Sequence, residues 1–281
     1  MQYAPALRAA AGIAVLSIMD AVIKGMSAYY PTFQVAFLRF ACGTVIATGV
    51  VAILRPGWPS RETVQANLVR SVIAVVTAVS FFYALGQLPL AETLILSFLA
   101  PMFIALFGML LLKERVDPRI VAAIAIGFSG TLVVVLGQTE EASASRSWLG
   151  VGAALLSAVT YALSLVLLRQ RALRDKFLHI VYFQNIGPAV LVMPFGLWAW
   201  QPLNLMHLAW FMLMGVLGVI GHVLMATAYA KAEAARLAPL EYTALIWAVL
   251  IGYGVFGEIP TWATLGGGLL IVTAALLTSR R

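Results

Sequence analysis

The chain is poor in charge: Asp, Glu, Lys and Arg make up 10% of its 281 residues, where an ordinary soluble domain carries roughly 25%. So few ions cannot clothe a water-facing surface, and with 62% hydrophobic residues the sequence belongs in lipid. Cysteine is nearly absent. Cys42 stands alone, which excludes an intramolecular disulfide and a thiolate metal cluster. His179, His207 and His222 lack the spacing of a metal pair, and neither a G-x-x-x-x-G-K-[ST] phosphate loop nor a G-x-S-x-G elbow occurs. No cofactor, no metal and no enzymatic activity are expected, and nothing in the chain would harness ATP.

What is present is a series of apolar stretches of about 20 residues, enough to cross a ~30 Å hydrocarbon core as helix. They fall at 7–29, 32–54, 67–87, 90–112, 118–137, 148–168, 178–200, 206–229, 234–257 and 261–279. Runs such as Ile120–Leu136 do not alternate, which argues against a transmembrane barrel. The expected fold is therefore an all-α integral membrane protein of ten transmembrane helices. The first stretch follows Arg8 but carries Asp20 and Lys24, so it reads as a retained helix rather than a signal peptide.

The net charge of +7 is explained by where the bases lie. With the amino terminus inside, the segments on that side hold Arg8, Arg55, Arg61, Arg70, Lys113, Arg115, Arg119, Arg169, Arg171, Arg174, Lys176, Lys231, Arg236, Arg280 and Arg281, leaving Lys24 and Arg146 toward the outside. That asymmetry predicts a bacterial inner-membrane protein with both termini cytoplasmic, in contact with anionic lipid and with no nucleic-acid partner. It is read as a monomer.

Residues 96–114 (LSFLAPMFIALFGMLLLKE) return 144 positions later as 240–258 (LEYTALIWAVLIGYGVFGE), without a gap. Leu96/Leu240, Ala100/Ala244, Leu106/Leu250, Gly108/Gly252 and Glu114/Glu258 are identical, and Phe98/Tyr242 and Phe103/Trp247 keep an aromatic in register. Lys113, Arg115 and Arg119 surround the end of the first copy but have no basic counterparts in the second, so the copies end on opposite sides of the bilayer. The expected organisation is a first five-helix repeat over 1–137, a polar outer linker over 138–147 and a second, inverted repeat over 148–281.

Intramembrane polar groups need partners or a wet cavity. Counting along the helices at ~1.5 Å per residue, Asp20 lies about 15 Å and Arg39 about 12 Å below the turn at Tyr30–Pro31. Lys24 is one turn from Asp20. These three form either a structural ion cluster that pins the first helix to the second, or a site for a substrate carboxylate or a coupling ion. Glu241 follows Pro239 in a segment whose backbone Pro loosens, and it either titrates or bonds the backbone. Pro101 interrupts the fourth helix, and because Leu245 stands at its repeat position, an asymmetric hinge at Pro101 and Pro239 is expected. Glu114 and Glu258 suit a loop-fixing role. Stripes of small and polar side chains (Ser157, Thr160, Tyr161, Ser164; Gly215, Gly218, His222, Met225, Tyr229) face protein or water. Gly266–Gly268 reads as close helix packing, and Trp148, Trp198, Trp200, Trp210 and Trp262 as interfacial anchors.

The run LPLAETLILSFLAPMFIALFGMLLLKERVDPRIVAAIAIGFSGTLVVV and its looser copy LAPLEYTALIWAVLIGYGVFGEIPTWATLGGGLLIVTAALL resemble the drug/metabolite transporter superfamily, specifically its ten-helix EamA-type exporters, and within it bacterial amino-acid exporters of the YddG type. The resemblance implies a basket-like bundle with a central cavity between the inverted repeats, opened alternately to each side as the two halves rock. It places Ser80, Tyr83, Ser97, His222, Tyr229, Glu241, Tyr242 and Trp247 in the substrate lining, with Asp20, Lys24, Tyr161 and Asn185 around them. The implied partner is a small amphipathic solute, amino acids first among candidates. Nucleosides, flavins or cationic drugs are the alternatives of the same class, and a channel or structural membrane subunit that of another.

The topology is tested in a chain with Cys42 replaced by Ala. A single cysteine at Ser143 is expected to react with a membrane-impermeant maleimide in intact spheroplasts, and one at Arg174 only after permeabilisation.

Overall fold

In lipid no water can satisfy a bare peptide group, so the chain folds as helices that satisfy their own backbone. A computed structural model describes residues 4–87, 96–114, 117–136, 148–256 and 262–279, and among these there is no strand. The helices are α1 (Ala4–Ser27), α2 (Thr32–Leu54), α3 (Arg61–Gln87), α4 (Ala100–Leu112), α5 (Pro118–Leu136), α6 (Trp148–Ala172), α7 (Phe177–Trp198), α8 (Leu205–Tyr229), α9 (Thr243–Phe256) and α10 (Trp262–Ser279). Six of them, α1, α2, α3, α6, α7 and α8, are long and apolar enough over their described residues to cross a membrane. Their ends carry the expected chemistry. Asn204 caps α8 by accepting from Met206 N–H, and α2 stops at Arg55, whose left-handed backbone (φ 43°) returns its N–H to Val51 C=O. Trp148, Trp198 and Trp262 stand exposed at helix ends, as anchors would. The linker expected at 138–147 lies outside the described residues, as does Glu258.

Two helices run well beyond the hydropathy reading, both because polar residues continue a helix. α3 starts at Arg61 rather than 67, and α6 runs to Ala172 rather than 168. The first extension matters most: it moves Arg70 from the first turn of the expected helix to about 13 Å along the observed one, counted from its start.

The five helices of the second half begin at 148, 177, 205, 243 and 262, each within one residue of 144 positions after 4, 32, 61, 100 and 118. The backbone breaks also correspond. In the first half, residues 98 and 99 form a turn ahead of α4. In the second, a one-turn helix (Ala234–Leu237) tightens into a 3-10 segment (Ala238–Tyr242) before α9. Pro101 and Pro239 are not equivalent in the repeat, yet both fall at these breaks, so the interruption is symmetric although the prolines are not.

Packing crosses the midpoint of the chain. The four most extensive interfaces are α5 with α10, α1 with α8, α2 with α7 and α3 with α6. Exchanging the halves turns α1–α8 into α6–α3 and maps α2–α7 and α5–α10 onto themselves. The same exchange relates α2–α8 to α7–α3, and α4–α6 to α9–α1. The halves are therefore interleaved, and α1 packs more extensively on α8 than on α2. Close approach is made by small residues. A Cβ on Gly215 would lie 2.7 Å from the carbonyl carbon of Cys42, and one on Gly130 would lie 2.8 Å from Gly267 O. Gly266 and Gly268 face open space, so within that triplet the contact with α5 belongs to Gly267.

Two ion networks tie the basic face. Arg171 grips Asp175 twice (2.6 and 2.7 Å) and reaches Glu62 Oε1 at 2.9 Å, while Thr63 Oγ1 donates to Asp175 Oδ1 at 2.9 Å. This fastens the start of α3 to the turn between α6 and α7. Arg169 pairs with Glu114 at 3.4 Å and donates to Tyr229 C=O at 2.6 Å, and Glu114 also accepts from Ala235 N–H at 3.4 Å. Glu114 thus joins the end of α4 to the junction between α8 and α9. On the opposite face Tyr30 bonds His207 Nδ1 at 2.7 Å, and Gln34 exchanges two 2.8 Å bonds with the backbone of Gln201.

Partial burial pushes the Asp175 carboxyl up, but the hydrogen bonds from Arg171 and Thr63 outweigh it and hold it below the usual aspartate range. A depressed carboxyl stabilises the fold above its unfolded value of about 3.9 and loses that contribution as pH falls through the lower folded value. Both partners are buried, at 7% and 4% side-chain exposure. Asp175→Asn is therefore expected to cost about 3 kcal/mol near neutral pH. The gap in melting temperature between wild type and variant should narrow below about pH 3.9. Gly215→Ala, which forces α2 and α8 apart, should cost about 1–3 kcal/mol. Gly49→Ala, with nothing near its Cβ, should cost no more than about 0.5 kcal/mol, read by the same melts.

Candidate functional site

The interleaved packing leaves a cavity of about 300 Å³ at the centre of the bundle. One wall is α1, with Leu16, Met19, Asp20 and Ile23; the facing wall is α3 and α6. From α3 come Arg70, Ala74, Thr77, Ala78, Phe81 and Phe82, and from α6 Ser157, Tyr161, Ser164 and Leu165. α2 adds Arg39 and Phe40, α7 adds Gln184, and α8 adds His222 and Met225. Both helix breaks reach it too, through Ser97, Phe98 and Pro101 on one side and Glu241 and Ala244 on the other. The lining is largely apolar, with a few ions set into it.

Each ion is held by a specific local device. Glu241 sits in the 3-10 segment, where Pro239 has no N–H to give, and its Oε2 accepts from Tyr161 OH of α6 at 2.9 Å. Arg70 is only 3% exposed. Its Nη1 donates to Asn67 Oδ1 at 2.9 Å and its Nη2 to Gln184 Oε1 at 2.8 Å, while Asn67 is itself fixed by a 2.8 Å bond to Thr63 C=O. Arg39, 6% exposed, lies over the Phe40 ring at 4.2 Å and directs Nη2 at Met19 Sδ at 3.6 Å. His222 Nδ1 is 2.6 Å from Gly218 C=O. A carbonyl can only accept, so Nδ1 carries the proton in that bond. Thr77 Oγ1 donates to Thr160 Oγ1 at 2.9 Å, joining α3 to α6 beside the cavity.

Of the residues singled out in the sequence, Asp20, Arg39, Ser97, Pro101, Ser157, Tyr161, Ser164, His222, Met225 and Glu241 meet around this cavity. The others lie elsewhere. On α3 the lining residues Arg70, Ala74, Thr77, Ala78 and Phe81 share one face, and helical spacing turns Ser80 and Tyr83 away from it. Ser80 bonds its own helix at Val76 C=O, and Tyr83 is exposed. Asn185 is fully buried, with its amide on Val181 C=O and its side chain against Gly43. Tyr229 and Tyr242 are fully buried in core clusters, Tyr242 beside Phe98, and Trp247 packs against the same cluster as Tyr229. Lys24 is exposed near the end of α1, and Pro239 is buried outside the lining. Arg70 and Gln184 were not foreseen. The signal for Arg70 was available in the spacing of Thr63, Asn67, Arg70 and Ser71, a polar stripe at helical period that faces inward.

Comparison with known proteins matches this architecture. The EamA-like transporter family matches the chain twice, over residues 5–136 and 148–280. The pseudopaline exporter CntI of Pseudomonas aeruginosa (strain UCBPP-PA14) is 29% identical over 268 residues, covering 94% of this chain and 92% of its own. The S-adenosylmethionine uptake transporter of Rickettsia bellii (strain RML369-C) is 21% identical over 260 residues, covering 92% and 88%. A solved crystal structure shares the fold at a TM-score of 0.83 and 22% identity, over 99% of each chain.

Proposed function

Because the chain belongs to the EamA-like transporter family, a multi-pass membrane protein that moves a small molecule, we propose that it exports small amphipathic metabolites, amino acids among them, by alternating access through the central cavity. The observation that carries this reading is the composition of the lining. Two carboxylates, Asp20 and Glu241, and two guanidiniums, Arg39 and Arg70, sit among Phe40, Phe81, Phe82, Phe98 and aliphatic side chains. A zwitterion with an apolar body meets complementary groups at every part of such a surface. The direction proposed is outward, in keeping with the relative named as an exporter, and both termini are proposed to be cytoplasmic.

The packing suggests which parts move. α1, α8 and the segment leading through Glu241 to α9 form one contiguous group, and α6, α3 and α4 form its repeat-related counterpart. The cavity lies between these two groups. Displacing one against the other opens either face while leaving α1–α8 and α3–α6 intact, whereas a movement of residues 1–137 against 148–281 would break all four principal interfaces. The bonds from Arg169 to Tyr229 C=O and from Ala235 N–H to Glu114 cross between the groups at the basic face. They favour a state closed there.

Counterflow tests the proposal. Liposomes containing the purified protein are preloaded with one unlabelled amino acid at a time and challenged with the same labelled compound outside, beside protein-free liposomes. Saturable accumulation of several amino acids without an imposed proton gradient is the expected result. If no amino acid exchanges with folded protein, the amino-acid reading is wrong, and accumulation of a nucleoside, S-adenosylmethionine or a cationic drug would then assign the cavity to the other solutes. A conductance without exchange would mark a channel.

A further inference from the structure

We infer that the solute carried by this cavity bears two separate carboxylates, one for Arg39 and one for Arg70, together with cationic nitrogen for Glu241 and Asp20. The inference rests on the transport reading and narrows its substrate class to amino-dicarboxylic acids. A buried guanidinium is stable only when its charge and its five N–H donors are answered. Among the described residues, neither has all of its donors answered. Arg70 is held by the neutral amides of Asn67 and Gln184, and its Nε is buried with no hydrogen-bond partner among the described residues. Arg39 has the Asp20 carboxylate as a charged neighbour but rests directly on a thioether and an aromatic face, and its Nη1 is likewise buried and unpartnered among the described residues. The amide clamp fixes Arg70 in position without neutralising it, as suits a group that waits for an anion.

Room is kept for Arg39 as well. A Cβ on Gly218 would lie 3.3 Å from Arg39 Nη2, so glycine there lets the guanidinium pack closely against α8. The two arginines stand at different heights. Measured from the face that joins α2 to α3, Arg39 is about 22 Å and Arg70 about 13 Å along its helix at 1.5 Å per residue. An offset of about 9 Å between the two Cα levels suits two anionic groups spaced along one solute better than a single carboxylate shared between both. Across from them, Glu241 is oriented by Tyr161, and Asp20 is exposed to the cavity. Two positive and two negative side chains therefore ask for a solute that is balanced in both signs.

Three probes of nearly equal length separate these demands. 2,6-Diaminopimelate has two carboxylates and two ammonium groups, lysine lacks one of those carboxylates, and 2-aminopimelate lacks one ammonium. Binding is measured by thermal stabilisation of the purified protein in detergent, and exchange by counterflow. Wild-type protein should bind diaminopimelate about tenfold or more tightly than lysine, with 2-aminopimelate between them. Arg39→Gln and Arg70→Gln should each reduce the ratio of diaminopimelate to lysine affinity to about one. Equal or tighter binding of lysine by the wild type would overturn the inference, and that comparison needs no variant to fold. If neutral amino acids exchange while both dicarboxylates fail, the two-carboxylate inference falls and the transport reading stands. If no solute of any kind exchanges, the transport reading falls with it.

Discussion

Lipid gives helices no hydrophobic reason to associate, because a lipid tail is as apolar as a leucine. What holds this bundle together is close backbone approach, and nearly all of it occurs between the first and second halves of the chain. Gly215 of α8 sits on Cys42 and Gly43 of α2, and Gly130 of α5 sits on the backbone of Gly267 in α10. From that cross-pairing follow the position of the cavity, the facing of α1 toward α3 and α6, and the grouping of helices able to move as units. It also explains why the broken helices matter. With α4 and α9 starting late, a turn at 98–99 and a 3-10 segment at 238–242 bring backbone outside the α-helical ladder to the cavity, which is tolerated at membrane depth where it is buried in protein or lines a wet space.

The scaffold is symmetric and its chemistry is not. At the 144-residue offset, Asp20 corresponds to Ser164, Glu241 to Ser97, Arg39 to Phe183 and Arg70 to Met214. Every charged group of the lining has a neutral residue at its repeat position. This division of labour is physically reasonable. Under the alternating access proposed above, symmetric packing would give two states of similar energy that face opposite sides, while recognition needs one site that serves both of them. The acids and bases also come from different elements, with Asp20 and Glu241 on α1 and the segment before α9, and Arg39 and Arg70 on α2 and α3. A bound zwitterion would bridge these elements.

Much of the fold was legible in the sequence, because run length and interruption by polar turns are what lipid constrains most strongly. The helix register, the repeat and its spacing all came from those signals. The site was legible only in part. Asp20, Arg39 and Glu241 stood out as ions in apolar surroundings, where burial demands a reason. Arg70 escaped because hydropathy sets the helix start at 67 and leaves Arg70 among the bases expected at its cytoplasmic end, although the polar residues of RETVQANLVR recur at helical period and turn inward. Tyr229, Tyr242 and Asn185 pointed the wrong way for a complementary reason. A polar side chain on a membrane helix turns away from lipid whether it meets a solute or a neighbouring helix, and Asn185 found a glycine, Gly43, cut to receive it. Composition cannot tell those two destinations apart.

The self-paired contacts of α2 with α7 and of α5 with α10 have a further implication, one of ancestry. An interface that maps onto itself when two copies are exchanged is the isologous contact of a two-fold dimer. If residues 1–137 and 148–281 descend from one five-helix chain, that chain had no fold to adopt alone, since its principal partners would all lie in a second molecule inserted upside down. Joining the copies then fixed their opposite orientations in a single polypeptide, and only afterwards were the two sequences free to diverge, one copy acquiring Arg39 and Arg70 and the other Glu241.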